Sequence, residues 1–249
     1  MTDDKKLPNI RPPFERLLER FGPPDGDGPI SDAEAKSYLG RVPDALITFW
    51  RAHGRGSWRD GLYWMCDPEP LMPIMRDLFR NDPEFDPELL VPYFRDAFGV
   101  IVAWHPTLKS VKVDVNLGSV SNTDITTREI NGVRLYDDNN AISSGATSSL
   151  TSIDGWVSAT TGQPVFPEVL ARLGPIHEQE VYVMAPHFRM GGAGEPEDFT
   201  IGGLVEYLGF LIQLGLFERL RYVSPQEGGR GAFGHTEVIR TIGHDRVIE

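Results

Sequence analysis

Cysteine and long apolar runs are scarce in this chain of 249 residues. Cys66 is its one cysteine, so no disulfide can form within the chain, which fits a reducing compartment. The N-terminus shows no apolar run of the signal-peptide type. The most apolar segment, residues 203–217, is shorter than the ~20 residues that a membrane span needs, and Glu206 and Gln213 interrupt it. We therefore predict a cytoplasmic protein with no membrane contact.

Positively charged residues are also scarce. Lysine and arginine total 24 against 36 aspartates and glutamates, which gives a formal net charge of -12. An acidic surface repels the phosphates of nucleic acid, so we expect no direct binding to DNA or RNA. The same surface suits a cationic protein partner, through long-range attraction and complementary contacts. Because acidity also keeps proteins soluble, charge alone does not choose between these roles.

Local motifs for catalysis and for cofactors are also missing. Gly54 and Gly56 have the first spacing of a dinucleotide fingerprint, but Arg59 stands at the third glycine position and a helix pattern precedes the loop. Residues 177–181 begin like a zinc-protease helix but end in valine where the second histidine would stand. No phosphate-loop lysine follows the GGAG at residues 191–194. We therefore predict no catalytic residue, no cofactor and no metal, and interpret the chain as a binding protein. An enzyme with a dispersed acid–base pair remains an alternative that local motifs do not test.

Helix patterns dominate the N-terminal part. Apolar residues recur at helical spacing in FERLLERF, Ser31 and Glu34 form a capping box, and Gly54 ends a third helix, so the first ~55 residues predict three short helices. Residues 70–79 and 87–98 also predict helices, the second of them kinked or starting late at its internal proline.

Strand patterns follow the helices. Residues 99–104, GVIVAW, form a continuous apolar run that is typical of a central strand covered on both faces. Residues 110–116 alternate valine with polar residues, which predicts a half-buried strand. Asn131-Gly132 predicts a hairpin turn. The order of elements predicts an α+β fold: a helical N-terminal part on a mostly antiparallel sheet, followed by a smaller C-terminal subdomain with helices and strands.

Composition predicts the domain boundaries. Residues 137–155 are rich in Ser, Asn, Asp, Thr and Gly, and predict a linker or long loop. The N-terminal domain then covers residues 10–136 and the C-terminal domain residues 156–222. In the tail, residues 223–249, only TEVIRTI is typical of a strand.

The order of aromatic and glycine motifs carries a family resemblance. A helix ending in Phe49-Trp50 is followed by a glycine turn, by GSWRDGLYW, by Asp67-Pro68 and by an Ala-Phe-Gly that leads into a strand. This run resembles the GAD-like domain. Residues 166–214 resemble the C-terminal domain that accompanies it, with a helix ending in Leu-Gly and a Gly-Gly before a helix containing Glu-Tyr-Leu. The two-part arrangement is typical of immunity proteins paired with DNase toxins of bacterial type VI secretion systems.

The resemblance implies an antitoxin that binds and neutralises a cognate, basic nuclease toxin, and it carries over no catalytic residue. The alternative is a small-molecule or peptide-sensing domain without catalysis. For the contact with a partner, Trp58 and Arg59 are candidates because they lie in a turn, and Asp82 and Glu84 because the sequence assigns them no structural role. The remaining candidates are Asp137 and Asp138.

Overall fold

The computed structural model describes residues 11–130, 132–151, 155–224 and 235–243. These residues form seven α-helices: α1 (Glu15–Phe21), α2 (Asp32–Ser37), α3 (Asp44–His53), α4 (Met72–Leu78), α5 (Asp138–Thr151), α6 (Phe166–Leu173) and α7 (Leu204–Leu211). They also form thirteen strands: β1 (Asp25–Gly28), β2 (Arg55–Trp58), β3 (Tyr63–Met65), β4 (Val91–Asp96), β5 (Ile101–His105), β6 (Lys109–Asp114), β7 (Ser119–Thr123), β8 (Glu129–Ile130), β9 (Val133–Arg134), β10 (Glu180–Met184), β11 (Phe199–Gly203), β12 (Glu218–Val223) and β13 (His235–Thr241). The predicted α+β class is confirmed.

The three predicted N-terminal helices are present as α1, α2 and α3. The hydroxyl of Ser31 accepts a hydrogen bond from the backbone amide of Glu34 at 3.2 Å, as the capping box predicted. Gly54 ends α3 with a φ of 77°, and a Cβ there would lie 1.9 Å from the carbonyl oxygen of Gly28. Only glycine therefore allows the chain to leave α3 so close to β1.

Nine strands form one sheet in the order β1-β2-β3-β4-β5-β6-β7-β12-β13. Spatial order follows chain order as far as β7, and all these neighbours are antiparallel. β12 then joins β7 in parallel, and β13 pairs with β12 in antiparallel fashion as the edge strand. The strand predicted in the tail is thus confirmed, and the C-terminal segments extend the N-terminal sheet.

Two apolar cores lie on opposite faces of this sheet. The first face carries α1, α2, α3, α5 and α6, and the second carries α4 and α7. β5 is buried along its whole length: Val102 and Trp104 enter the first core, and Ile101 and Ala103 the second. The prediction of a central strand covered on both faces is confirmed. The valines of β6 are buried as the alternating pattern predicted.

Residues 91–96 form a buried strand, so the helix predicted over residues 87–98 is wrong. Pro92 has no amide hydrogen to continue a helix, and the sheet accommodates it where the register of β4 shifts between Pro92 and Phe94. The apolar and aromatic residues around it are buried from Leu90 onward. Burial on both sides removed the alternation that would have indicated a strand.

The linker predicted over residues 137–155 is also wrong, because residues 138–151 form α5. Its buried residues Ile142, Ala146 and Leu150 follow the i, i+4, i+8 spacing of a helix packed on the first face. Gly145 lies close to the sheet: a Cβ there would come within 2.6 Å of the Tyr93 hydroxyl oxygen. Serine, threonine and asparagine between these positions concealed the short apolar stripe in the composition.

Candidate binding surface and adjacent cleft

Trp58 lies in the core of the first face. Only 5% of the residue is accessible, and its indole N–H donates to the carbonyl oxygen of Gly22 at 3.0 Å. Its ring stacks on Phe94 with 6.3 Å between the centroids. The buried position corrects the prediction that Trp58 offers its ring to a partner, and the tryptophan-rich stretch is mainly architecture.

Asp82 and Glu84 form a carboxylate–arginine cluster with Arg219 and Arg240 from β12 and β13. Asp82, whose side chain is fully buried, accepts from the Arg240 guanidinium at 2.7 and 2.8 Å and from the amide of Gly243 at 3.0 Å. Glu84 accepts from Arg219 at 3.0 Å and from Arg240 at 2.9 Å. The prediction that these carboxylates lack a structural role is wrong, because the pattern of their own segment does not reveal partners that lie more than a hundred residues later in the chain.

Arg59, Asp137 and Asp138 are exposed, and their contact with a partner stays a prediction. Asp137 accepts from the amide of Asn140 at 2.9 Å and so caps α5, and Asp138 pairs with Lys109 at 2.8 Å. Arg59 lies in the turn between β2 and β3. Arg59 and the two aspartates therefore belong to different elements of the fold.

A different set of exposed residues surrounds Arg189. We call the set the Arg189 patch, and its members are large apolar residues with 39 to 58% of their surface accessible: Leu117, Phe188, Met190 and Leu216. They come from the turn between β6 and β7, from the segment after β10 and from the segment after α7. Exposed aromatic and methionine side chains on a fixed support are typical of protein-binding surfaces.

The guanidinium of Arg189 holds the three segments together. It donates to the carbonyl oxygens of Leu211 and Leu216, each at 3.4 Å, and lies over the ring of Phe217 at 5.5 Å. The guanidinium carbon lies 3.2 Å from the position that a Cβ of Gly118 would occupy. Burial lowers the pKa of Arg189, and none of the described carboxylates forms an ion pair with it.

His187 fixes the segment that carries Phe188 and Met190. Its Nδ1 accepts from the backbone amide of Arg189 at 3.2 Å, and its Nε2 lies 3.2 Å from the side-chain oxygen of Asn116. Burial, with a smaller contribution from Arg189, lowers the pKa of His187 to about 4. The ring is therefore neutral at physiological pH and acts as a structural connector.

The glycines of GGAG serve close packing in the same segment. A Cβ at Gly192 would lie 1.8 Å from the carbonyl oxygen of Pro186, and one at Gly194 would lie 2.3 Å from the indole nitrogen of Trp156. Trp156 in turn makes an edge contact with Phe188, with 5.7 Å between the centroids. The sequence excluded phosphate binding by this loop but did not reveal that the loop packs on Trp156 and so supports Phe188. Two large apolar residues directly before a glycine-rich loop were the available signal.

A cleft of about 1420 Å³ adjoins the patch on the first face of the sheet. It lies between α1, α5 and residues 155–157, above strands β4 to β7. Leu117 belongs to both regions, and Asn116 and Trp156 line the cleft and contact His187 and Phe188. Nine charged side chains line it, of which six are arginine or lysine, whereas acidic residues outnumber basic ones over the whole chain.

Two aspartates lie at the floor of the cleft. Burial raises the pKa of Asp96 to about 6, although its carboxylate accepts hydrogen bonds from the amides of Phe98 and Val100, both at 2.9 Å. Burial likewise raises the pKa of Asp114, which accepts from the amide of Leu117 at 3.0 Å. Both carboxylates hold turns of the backbone.

Other reactive groups are dispersed. Among the described residues, no three of the His, Cys, Asp and Glu side chains lie where they could hold a metal ion together. Burial raises the pKa of the Cys66 thiol to about 12, which leaves it protonated and unreactive. Within the part of the chain that the structure describes, no helix is long and apolar enough to cross a membrane.

Residues 13–117 match the family model of the GAD-like domain. The chain contains a GAD-like domain. The domain begins just before α1 and ends after β6, so it comprises α1 to α4 and β1 to β6. Asn116, next to the last matched residue, joins the GAD-like domain to the C-terminal segments, because its side-chain oxygen lies 3.2 Å from the Nε2 of His187.

The whole architecture also occurs in another protein. The crystal structure of Atu4351 from Agrobacterium tumefaciens is similar over 92% of this chain and 98% of that one, with a TM-score of 0.75 and 22% sequence identity. At this identity the likeness shows the fold alone, including the C-terminal strands and helices that follow the GAD-like domain. No protein with a curated description matches the chain.

Proposed function

We propose that this protein is an immunity protein: a non-catalytic cytoplasmic antitoxin that binds and neutralises a cognate DNase toxin of a bacterial type VI secretion system. The observation that carries the proposal is the Arg189 patch, an exposed apolar surface whose backbone is held by hydrogen bonds from Arg189 and to His187. Such preorganised surfaces bind proteins with little loss of conformational entropy.

The class of partner rests on resemblance and charge. Residues 10–215 resemble the two-part immunity proteins, whose partners are DNases. A DNase presents basic side chains to the phosphates of its substrate, and a chain with a net charge of -12 is attracted to such a surface. The apolar patch would supply the affinity and the acidic exterior the rate of association. Neutralisation could proceed by covering the nuclease cleft or by deforming the nuclease.

Co-expression tests the proposal directly. The protein is produced in a bacterial host together with the nuclease domain encoded by the adjacent reading frame. We expect intact host DNA and a complex that co-purifies in a fixed ratio. Degradation of the host DNA at the rate seen with the nuclease alone would refute the function.

A matched pair of variants then tests the patch. Phe188→Ala/Met190→Ala removes side chains that are 46% and 58% accessible, and the control Leu39→Ala/Leu89→Ala removes side chains that are 59% and 44% accessible on other elements. We expect the patch variant to weaken nuclease binding by about thirtyfold or more, as for loss of an interface hot spot, and the control to leave it unchanged. Equal affinities of the two variants, measured by calorimetry, would place the interface elsewhere.

A further inference from the structure

The cleft on the first face has ample room for a small-molecule ligand. Its volume of about 1420 Å³ exceeds the ~300–1,000 Å³ that is typical of small-molecule sites. Its walls come from segments far apart in the chain, with α1 on one side and α5 with residues 155–157 on the other. The antitoxin proposal assigns no role to this space.

The charge of the cleft is opposite to that of the chain. Arg16 and Arg20 on α1, Lys112 on β6 and Arg128 line it with exposed side chains. Within the described ranges none of these four forms an ion pair, whereas Arg11, a fifth cation of the lining, pairs with Glu19. Cations that converge on a concavity without carboxylate partners attract anions, and a concave, low-dielectric wall strengthens that attraction.

The acidic groups of the cleft are Glu19, Asp96 and Asp114, and the two aspartates attract Lys112 without forming an ion pair with it. Glu19 is engaged by Arg11. Asp96 and Asp114 are largely buried and accept hydrogen bonds from backbone amides. The hydroxyl group of Ser144 on α5 and the partly exposed rings of Tyr136 and Trp156 complete a lining that offers a donor and apolar surface around the cations.

We infer that this cleft is a binding site for a small anionic ligand that carries phosphate or carboxylate groups. Arg16, Arg20, Lys112 and Arg128 supply the charge that recognises it, because guanidinium and ammonium groups form charge-assisted hydrogen bonds with both kinds of anion. Since Asn116, Leu117 and Trp156 line the cleft and also border the Arg189 patch, an occupied cleft lies next to the proposed protein-binding surface.

Calorimetry on the isolated protein at neutral pH tests this inference without any toxin. Pyrophosphate and citrate serve as the phosphate and carboxylate probes, and sodium chloride at matched ionic strength serves as the blank. We expect saturable binding of at least one probe, and the one that binds identifies the anionic group. Absence of saturable binding of both probes at millimolar concentration would overturn the inference.

The variant Lys112→Gln/Arg128→Gln tests the location of the site, with Arg51→Gln/Arg80→Gln as the control of equal charge outside the cleft. We expect the cleft variant to weaken binding about tenfold and the control to bind like the wild type. Equal binding by both variants would overturn the site. Thermal melting of each variant confirms folding, and a cleft variant that melts early is replaced by Arg16→Gln/Arg128→Gln.

Discussion

Asp82 and Asp96 are both aspartates with buried side chains that hold a turn, yet their pKa values shift in opposite directions. Burial alone would raise the pKa of Asp82, but hydrogen bonds from Arg240 and from three backbone amides outweigh it and lower the pKa to about 2. At Asp96, two backbone amides do not offset burial, and the pKa rises to about 6. The arginine from β13 is the main difference between them. Both arginines of the carboxylate–arginine cluster form ion pairs, whereas four described cations of the cleft form none.

Removing the Asp82 carboxylate is expected to have the largest effect on stability. Asp82→Ala leaves the Arg240 guanidinium without its buried partner and strands the amides of Glu84, Phe85 and Gly243. Removing one partner of a buried pair costs up to ~3–5 kcal/mol of unfolding free energy, and Glu84, which still pairs with Arg240, offsets part of this loss. Urea unfolding monitored by tryptophan fluorescence measures this loss as a lower midpoint.

An exposed ion pair provides the control for that variant. Asp77 pairs with Arg80 three residues later, and both side chains are more than half exposed. We expect Asp77→Ala to change the stability by only ~0–1 kcal/mol. Equal losses for Asp77→Ala and Asp82→Ala would show that the cluster does not anchor β13.

Asp96 should give the protein a pH dependence that its asparagine variant lacks. The folded pKa of about 6 lies above the ~3.9 of an unfolded aspartate, so the folded state binds this proton more tightly. The contribution of Asp96 to the unfolding free energy is therefore fully present below pH ~4. It is lost as the pH rises through 6, which lowers the unfolding free energy by ~3 kcal/mol. Asp96→Asn keeps the acceptor oxygen for Phe98 and Val100 but stays uncharged. Between pH ~4 and ~7 the unfolding free energy of the wild type should fall relative to that of Asp96→Asn. Parallel curves for the two proteins would contradict the raised pKa of Asp96.

For Asp82 we expect the opposite dependence of the unfolding free energy on pH, in a more acidic range. Its folded pKa of about 2 lies below the unfolded value, so its contribution is present above pH ~4 and is lost as the pH falls through 2. Asp82→Asn should flatten this acid limb, while Asp96→Asn should leave it intact. A common slope for the two variants would mean that the two sites do not differ in the way the geometry indicates.

The sequence predicted the features that depend on neighbouring residues and missed those that join distant parts of the chain. The capping box at Ser31, the central strand β5 and the alternation in β6 depend on residues within a few positions of each other, and local patterns indicated them. The carboxylate–arginine cluster joins Asp82 to a strand 158 residues later. The Arg189 patch collects Leu117, Phe188 and Leu216 from three segments. Local patterns contain no information on such long-range pairs.

Local composition gave the wrong prediction in two segments where tertiary packing determines the structure. Serine and asparagine made residues 137–155 resemble a linker, although α5 needs only Ile142, Ala146 and Leu150 to pack on the sheet. Pro92 indicated a kinked helix, although a register shift in β4 accommodates it. In both segments tertiary burial overrode the local preference.

The smallest expected effect concerns Asp137, which is exposed at the start of α5 and is still a candidate for contact with the proposed nuclease partner. Its carboxylate caps the helix by accepting from the amide of Asn140 at 2.9 Å. Asp137→Ala should therefore cost ~1 kcal/mol of unfolding free energy, whereas Asp137→Asn keeps the cap and should cost almost nothing. The asparagine variant removes the charge alone, so it separates stability from binding. Weaker nuclease binding by Asp137→Asn at unchanged stability would assign the carboxylate to the interface. Unchanged binding would leave the helix cap as its function and direct the search for acidic contacts to other exposed carboxylates.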